Sequence, residues 1–307
     1  MTPEEFEFLS DLVRKRSGLV LSSDKTYLLE SRLTPIARKA ELGGIPELVK
    51  ALRADTNGTL ATDVTEAMTT NESFFFREKT PFDLFSNTVL PHMLANRPQR
   101  KVRVWSAAAS TGQEIYSLAM LIDDCAAARG WTFDLLGTDL SREVLERARQ
   151  GMYTQFEVQR GLPIQLLMKY FKQVGESWQI DSKIRNMATF KEYNLLEPLT
   201  ALGKFDIIFC RNVLIYFDQP TKKMVLERMA DMLPEDGCVL LGAAETVVGI
   251  TDAFKPVPGA RGLYARNPEV YAAKTGSAGV AAPAPAMSSQ PVAPLRQPLA
   301  TGLSKTA

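Results

Sequence analysis

Apolar and polar positions change their spacing twice along the chain. Over residues 1–75 the apolar side chains recur at helical intervals. Phe6, Leu9, Leu12 and Val13 mark one face, Tyr27, Leu28, Leu33 and Ile36 a second, and two shorter runs follow over 46–53 and 60–68. The first helix carries its own start signal. Thr2 caps, Pro3 takes the first helical position and Glu5 reaches back to the cap, the reciprocal pattern of a capping box. Pro35 falls inside the second run and predicts an interruption or kink, because proline has no N–H and crowds the preceding turn. This region predicts a small all-α domain over 1–75.

From Lys101 the spacing alternates. Residues 102–107, 134–139, 205–210 and 238–244 are apolar runs of strand length, with helical patterns over 112–125, 141–149 and 219–233. Strands buried on both faces and separated by helices predict a doubly wound α/β architecture around a parallel sheet. Residues on either side of Gly259 and Gly262 read as a closing antiparallel hairpin. Short strand signals over 178–180 and 187–192 predict an inserted β-subdomain at about 151–193, within a domain spanning 76–267. From 268 to 307 Ala, Pro, Ser and Gly dominate, with Pro283, Pro285, Pro291, Pro294 and Pro298; such a segment buries too little apolar surface to order itself and predicts a disordered tail.

Composition narrows the chemistry. Lys and Arg total 36 against 35 for Asp and Glu, a net charge of +1, which argues against a surface that wraps a nucleic-acid backbone. No apolar run approaches the ~18 residues needed to span a bilayer, and the acidic start MTPEEFEFL is unlike a signal peptide, so a cytoplasmic location is expected. Cys125, Cys210 and Cys238 lie too far apart to form a metal-ligand pattern, and no metal is expected. The one histidine, His92, sits in VLPHMLANRP with no nucleophile signature beside it. Serine or cysteine nucleophiles driven by histidine, and histidine-ligated zinc, are therefore disfavoured. Function should rest on binding, positioning or carboxylate chemistry.

In an open parallel sheet the ligand edge lies at the carboxyl ends of the strands. There the run WSAAASTGQE (105–114) offers small side chains and a helix N-terminus to a ligand, although small residues can also serve packing alone. Asp139, at the end of the second strand, suits ribose hydroxyls or caps the next helix. Glu114 faces the ligand or merely complements its helix dipole. FDIIFCRNVLIYFD carries Arg211, Asn212 and Tyr216 over the same edge. TTNESFFFRE sets Asn71, Ser73 and Arg77 beside Phe74, Phe75 and Phe76, where an inter-domain core is expected and a buried Arg77 would need a carboxylate or polar partner.

Taken in order, T-T-N-E-S-F-F-F-R, R-V-W-S-A-A-A-S-T-G-Q-E, L-G-T-D, N-L-L and F-C-R-N-V-L-I-Y-F-D resemble the CheR family of chemotaxis methyltransferases, over residues 2–267. The resemblance implies a class I S-adenosylmethionine-dependent methyltransferase fold, Rossmann-like, with an N-terminal all-α domain and a small β-subdomain. It implies methylation of glutamate side chains on methyl-accepting chemoreceptors, giving methyl esters and S-adenosylhomocysteine. Carried onto this chain, Asn71, Ser73 and Arg77 would hold the methionine end, Glu114 its amino group and Asp139 the ribose hydroxyls. Asn194 and Leu195 would flank the adenine, Arg211 and Asn212 would complete the pocket, and Tyr216 would join Arg77 near the line of methyl transfer. Three positions depart from the family pattern: Ser73 for the commoner Thr, Gln113 for a frequent Glu, and Gly242-Ala243-Ala244-Glu245 for G-H-S-E, which puts the network around Glu245 in question.

The implied chemistry needs no histidine, since a glutamate substrate is already ionised at neutral pH. The implied partners are cytoplasmic helices of the receptors, met by a monomeric enzyme that neither enters the membrane nor binds nucleic acid. Lys25, Arg32, Arg38 and Lys39 would form a docking face, or simply a solvated helix face. The β-subdomain could take a receptor tail by strand addition. A methyltransferase with another substrate and a non-catalytic cofactor-binding adaptor are the competing readings; a nicotinamide dehydrogenase lacks its glycine fingerprint and its histidine here.

Overall fold

Four helices open the chain: α1 (Pro3–Ser17), α2 (Thr26–Lys39), α3 (Ile45–Ala54) and α4 (Thr59–Met68). The structure, a computed structural model, describes residues 1–275. The capping box of α1 is formed: Glu5 N–H donates to Thr2 Oγ1 at 3.2 Å and Thr2 N–H to Glu5 Oε2 at 2.7 Å. Leu9, Val13, Leu29, Leu33, Leu48, Leu52 and Val64 are fully buried in one core between these helices. Of the interruption or kink expected at Pro35, the interruption does not occur: α2 runs unbroken from Thr26 to Lys39. Both Pro35 and Ser31, whose carbonyl loses its donor, are exposed, so water can satisfy that carbonyl.

A longer helical stretch follows, α5 (Thr80–Leu84) and α6 (Leu90–Asn96) joined by a π turn, and leads into the sheet. The next elements are β1 (Lys101–Ala107), α7 (Gln113–Asp124), β2 (Thr132–Asp139) and α8 (Arg142–Gln150). A small subdomain then contains β3 (Met152–Thr154), α9 (Gln155–Gln159), α10 (Ile164–Tyr170), β4 (Phe171–Val174), β5 (Ser177–Ile180) and α11 (Ser182–Arg185). The chain returns through β6 (Ala188–Glu192), β7 (Ile207–Cys210), α12 (Gln219–Met232), β8 (Cys238–Leu241), β9 (Phe254–Pro256), β10 (Leu263–Arg266) and α13 (Pro268–Thr275).

The large sheet has the order β6-β2-β1-β7-β8-β10-β9, parallel except for the closing hairpin, and β3, β5 and β4 form a separate antiparallel sheet. Alternate residues face two cores: Val104, Ile207 and Phe209 point to one side, Trp105, Ile208 and Cys210 to the other. The architecture is a doubly wound α/β sheet with an all-α domain in front.

Two boundaries differ from the sequence reading. Residues 188–192 leave the insertion and form the edge strand of the large sheet, paired in parallel with β2. Gly137 makes room for this: a Cβ there would lie 2.8 Å from the Phe190 ring. Residues 268–275, grouped above with the tail, are helical, with Tyr271 buried and the Arg266 guanidinium 3.6 Å from its ring centre. The rest of the expected tail lies outside the described residues. Among the described residues no helix is long and apolar enough to cross a membrane.

Candidate functional site

The strand order reverses between β1 and its neighbours, and the register aligns Ala107 with Thr138 and Cys210. The loops after β1, β2 and β7 therefore leave the sheet at one level. With the segment joining α4 to α5, they frame a cleft that opens to solvent. Asn71, Ser73, Arg77, Glu114, Asp139, Asn194, Leu195, Arg211, Asn212 and Tyr216 all line it. The structure thus brings every site residue named from sequence to one place.

The cleft loops hold backbone conformations that side chains disfavour. Ala108 (φ 63), Ser110 (φ 51), Asn212 (φ 57), Phe76 (φ 53), Glu78 (φ 67) and Lys79 (φ 42) are all left-handed without being glycine. Each costs on the order of 1–2 kcal/mol and persists only where contacts over-determine it. Ser110 is held twice: its N–H donates to Asp139 Oδ2 at 2.8 Å and its hydroxyl to the Asn71 carbonyl at 2.7 Å. Asn212 is held by Glu245, which accepts the N–H groups of Asn212, Val213, Leu214 and Gly242 at 2.8–3.0 Å. The alanines beside Glu245 therefore leave its network intact, because that network is made of backbone donors. Burial still pushes the Glu245 carboxyl up, against the pull of those four N–H groups.

Arg211 is the buried cation of the site, with its side chain 1% exposed. Nη1 donates to Glu114 Oε2 at 2.7 Å; Nη2 donates to the Arg77 carbonyl at 2.6 Å and to Glu78 Oε2 at 3.1 Å. Among the described residues its Nε has no hydrogen-bond partner. The other oxygen of Glu114 accepts from Ser106 Oγ at 2.7 Å. Burial would raise the Glu78 carboxyl, but bonds from Asn212 Nδ2, the Ala243 N–H and Arg211 outweigh it and hold it below the usual range.

Arg77 is half-buried and has a polar partner: it donates to the Glu72 carbonyl at 2.6 Å, lies 5.6 Å from the Phe74 ring centre and, among the described residues, pairs with no carboxylate. The chain turns at Phe76: Phe75 is fully buried in the core, 4.9 Å from Tyr153 and 5.5 Å from Phe171 between ring centres, and Phe76 packs against that core part-buried. Arg77 is left on the cleft side with its guanidinium available.

Asp139 is almost fully buried, and burial pushes its carboxyl up although the N–H groups of Ser141 and Ser110 bond to it. Each oxygen takes one of these N–H groups, so lone pairs remain for hydroxyl donors. Asn194 uses its amide to join domains: Nδ2 donates to the Arg16 carbonyl at 2.6 Å and Oδ1 accepts the Leu196 N–H at 3.0 Å. The Tyr216 carbonyl accepts the Val20 N–H at 2.9 Å, and its ring packs on the cores of both domains.

Sequence reasoning missed Glu78, because in F-R-E-K-T it reads as one charge in an exposed run. It also grouped Arg32 with the exposed cations, whereas Arg32 Nη1 caps α4 by donating to Met68 O at 2.8 Å and Thr69 O at 2.7 Å. Lys25, Arg38 and Lys39 remain exposed. His92 lies outside the cleft, with Nε2 3.8 Å from Asp236 Oδ2.

These groups fit a zwitterionic nucleoside such as S-adenosylmethionine. One cation faces two carboxylates, which suits an ammonium group, while the orphaned buried Arg211 Nε calls for an anionic oxygen. Asp139 retains acceptors for a ribose. Among the described residues no group of three or more His, Cys, Asp or Glu is placed to hold a metal ion.

Comparison with known proteins gives the same direction. The CheR methyltransferase all-alpha domain matches residues 4–69, and the CheR methyltransferase SAM binding domain matches residues 71–263. The chain is 37% identical over 264 residues to the chemotaxis protein methyltransferase Cher2 of Pseudomonas putida, covering 84% of this chain and 96% of that protein. It is 36% identical over 261 residues to chemotaxis protein methyltransferase 1 of Vibrio cholerae, covering 84% and 94%. With the chemotaxis protein methyltransferase of Escherichia coli it shares 33% over 249 residues, covering 80% and 85%.

Proposed function

This chain belongs to the CheR family and is an S-adenosylmethionine-dependent chemotaxis methyltransferase, and from that premise we propose that it esterifies glutamate side chains on chemoreceptor helices. The observation that chiefly supports the site reading is the convergence of ten residues from five separated motifs on one cleft at the ligand edge of the sheet.

Bound S-adenosylmethionine supplies an electrophilic methyl group on its sulfonium. The chain's own task is to bind, orient and exclude water. Asn71, Ser73 and Arg77 hold the methionine end, with Glu114 at the ammonium; Asp139 takes the ribose hydroxyls, and Asn194 and Leu195 flank the adenine. Arg211 and Asn212 complete the floor. Among the described residues Arg77 has no carboxylate partner of its own, so its guanidinium can steer the incoming glutamate. Tyr216, clamped between the two domains, walls the line of transfer. No general base is required, because the glutamate arrives ionised at neutral pH. Rate enhancement then comes from alignment and from a fixed polar surround in place of water.

The enzyme acts in the cytoplasm as a monomer, against cytoplasmic receptor helices. Lys25, Arg38 and Lys39 offer an acidic helix a complementary face, an attraction that weakens as salt rises. The decisive experiment is methyl transfer from labelled S-adenosylmethionine to membranes carrying the cognate chemoreceptors, followed by alkaline release of methanol. Base-labile label on the receptor, lost in Arg77→Ala, is expected. Binding of S-adenosylhomocysteine without receptor label would favour another substrate or an adaptor; absence of both would reject the site reading.

A further inference from the structure

Glu78 follows immediately after the first family-like motif and has no role in the reading above. Its Oε2 accepts from Arg211 Nη2 at 3.1 Å and from the Ala243 N–H at 2.9 Å, while Oε1 accepts from Asn212 Nδ2 at 3.0 Å. The residue sits at φ 67, next to Lys79 at φ 42, a strained stretch that must be held from outside.

These contacts decide which way the Asn212 amide faces. The oxygen and nitrogen of an asparagine amide are nearly the same shape, so chemistry must choose between them. An ionised carboxylate can only accept, and beside Glu78 the amide must therefore present its nitrogen. Gly242 leaves room for the same atom: a Cβ there would lie 2.9 Å from Asn212 Nδ2 and 2.8 Å from Glu245 Oε2. Glu245 pins the Asn212 backbone at φ 57. The amide oxygen is left over. Among the described residues nothing donates to it, and Asn212 lines the cleft.

We propose that Glu78 is a positioning residue, which locks the Asn212 amide so that Oδ1 faces the cleft as an acceptor for the ammonium group at the methionine end of the cofactor. The proposal rests on the cofactor reading of the cleft. Arg211 supports it electrostatically, since its one positive charge is opposed by the carboxylates of both Glu78 and Glu114.

The test exchanges the two partners in the full chain and measures S-adenosylhomocysteine binding by calorimetry, with Tm measured in parallel. S-adenosylhomocysteine carries the same ammonium and is not consumed. In Glu78→Gln the side-chain oxygen stays with its two donors, Arg211 and Ala243, so its NH₂ faces Asn212 and turns that amide over. A donor then faces the ammonium, and affinity should fall on the order of tenfold or more. Asn212→Asp alone sets two carboxylates face to face and should also bind weakly. The double variant E78Q/N212D restores both the bond and the outward-facing oxygen, and should recover most of the affinity.

Wild-type affinity in Glu78→Gln would overturn the proposal. So would a double variant as weak as Glu78→Gln with an equal fall in Tm, which would make Glu78 only a counter-ion to Arg211. Where Glu78→Gln does not fold, the double variant is compared with Asn212→Ala; equal weakness overturns the proposal. Failure of the wild-type chain to bind is a separate result, and rejects the cofactor reading itself.

Discussion

At the edge where β1, β7 and β8 begin, Arg97 donates Nε to Asp206 Oδ1 and Nη2 to Asp236 Oδ1, each at 2.8 Å, and the Arg103 N–H donates to Asp206 Oδ2 at 2.7 Å. At the edge where β1, β2 and β7 end, Arg211 likewise faces two carboxylates, Glu78 and Glu114. The two clusters have similar composition and different outcomes. Every guanidinium nitrogen of Arg97 has an acceptor, whereas Arg211 keeps an orphaned Nε beside an open cleft and left-handed loops. A buried ion cluster that closes on itself ties strands together. One that leaves donors and acceptors over, around a cavity, is arranged for something that arrives later.

Arg211→Met should break this comparison most severely. It strands Glu78 and Glu114 without their cation, and should cost about 3–5 kcal/mol in urea denaturation together with binding of S-adenosylhomocysteine. A loss under about 1 kcal/mol would mean that the cluster is not held as described. Arg77→Ala sharpens the contrast within the cleft itself. Its guanidinium pairs with no carboxylate, so stability should stay within about 0.5 kcal/mol while turnover on receptor membranes falls on the order of 100-fold. Equal losses in stability and turnover would erase the distinction between holding and positioning.

At the starting edge the pattern should invert. Asp236→Asn should cost about 2 kcal/mol of stability, with methyl transfer unchanged where the variant is folded. The smallest effect is its pH dependence. Burial would raise the Asp236 carboxyl, but the Arg97 bonds outweigh it and the net shift is downward. A carboxylate lowered in the folded state stabilises above its unfolded pKa of about 3.9, and that contribution is lost as pH falls through the folded value. The stability gap between wild type and Asp236→Asn should therefore be constant above about pH 7, where His92 beside Asp236 is neutral, and shrink below about pH 4. A gap that widened below about pH 4 would contradict the ion pair.

Much of this was legible in local pattern. The Thr2–Glu5 capping box, the apolar strand runs and the residues that line the cleft are each carried by short, continuous segments. Other features were not. Pro35 stays within α2 because Ser31, whose carbonyl it leaves without a donor, lies on the exposed face, which depends on the packing of the whole helical domain. Strand β6 belongs to the large sheet because Phe190 finds the bare face of Gly137, 53 positions earlier by number. That Arg211 rather than Arg77 is the fully buried cation was not legible either, since burial is settled by how the chain turns at Phe76 and closes on the sheet.

By itself the sequence determined the helical front domain, the alternating α/β pattern and the segments that meet at the cleft. Those properties depend on neighbours a few positions apart, through helical and strand periodicity and the inventory of side chains. The tertiary structure alone decided which charge is buried, which carboxylate pairs with it and which way an amide faces. Arg211 meets Glu114 across 97 positions and Glu78 across 133, and no local spacing encodes a contact that exists only once the sheet has closed.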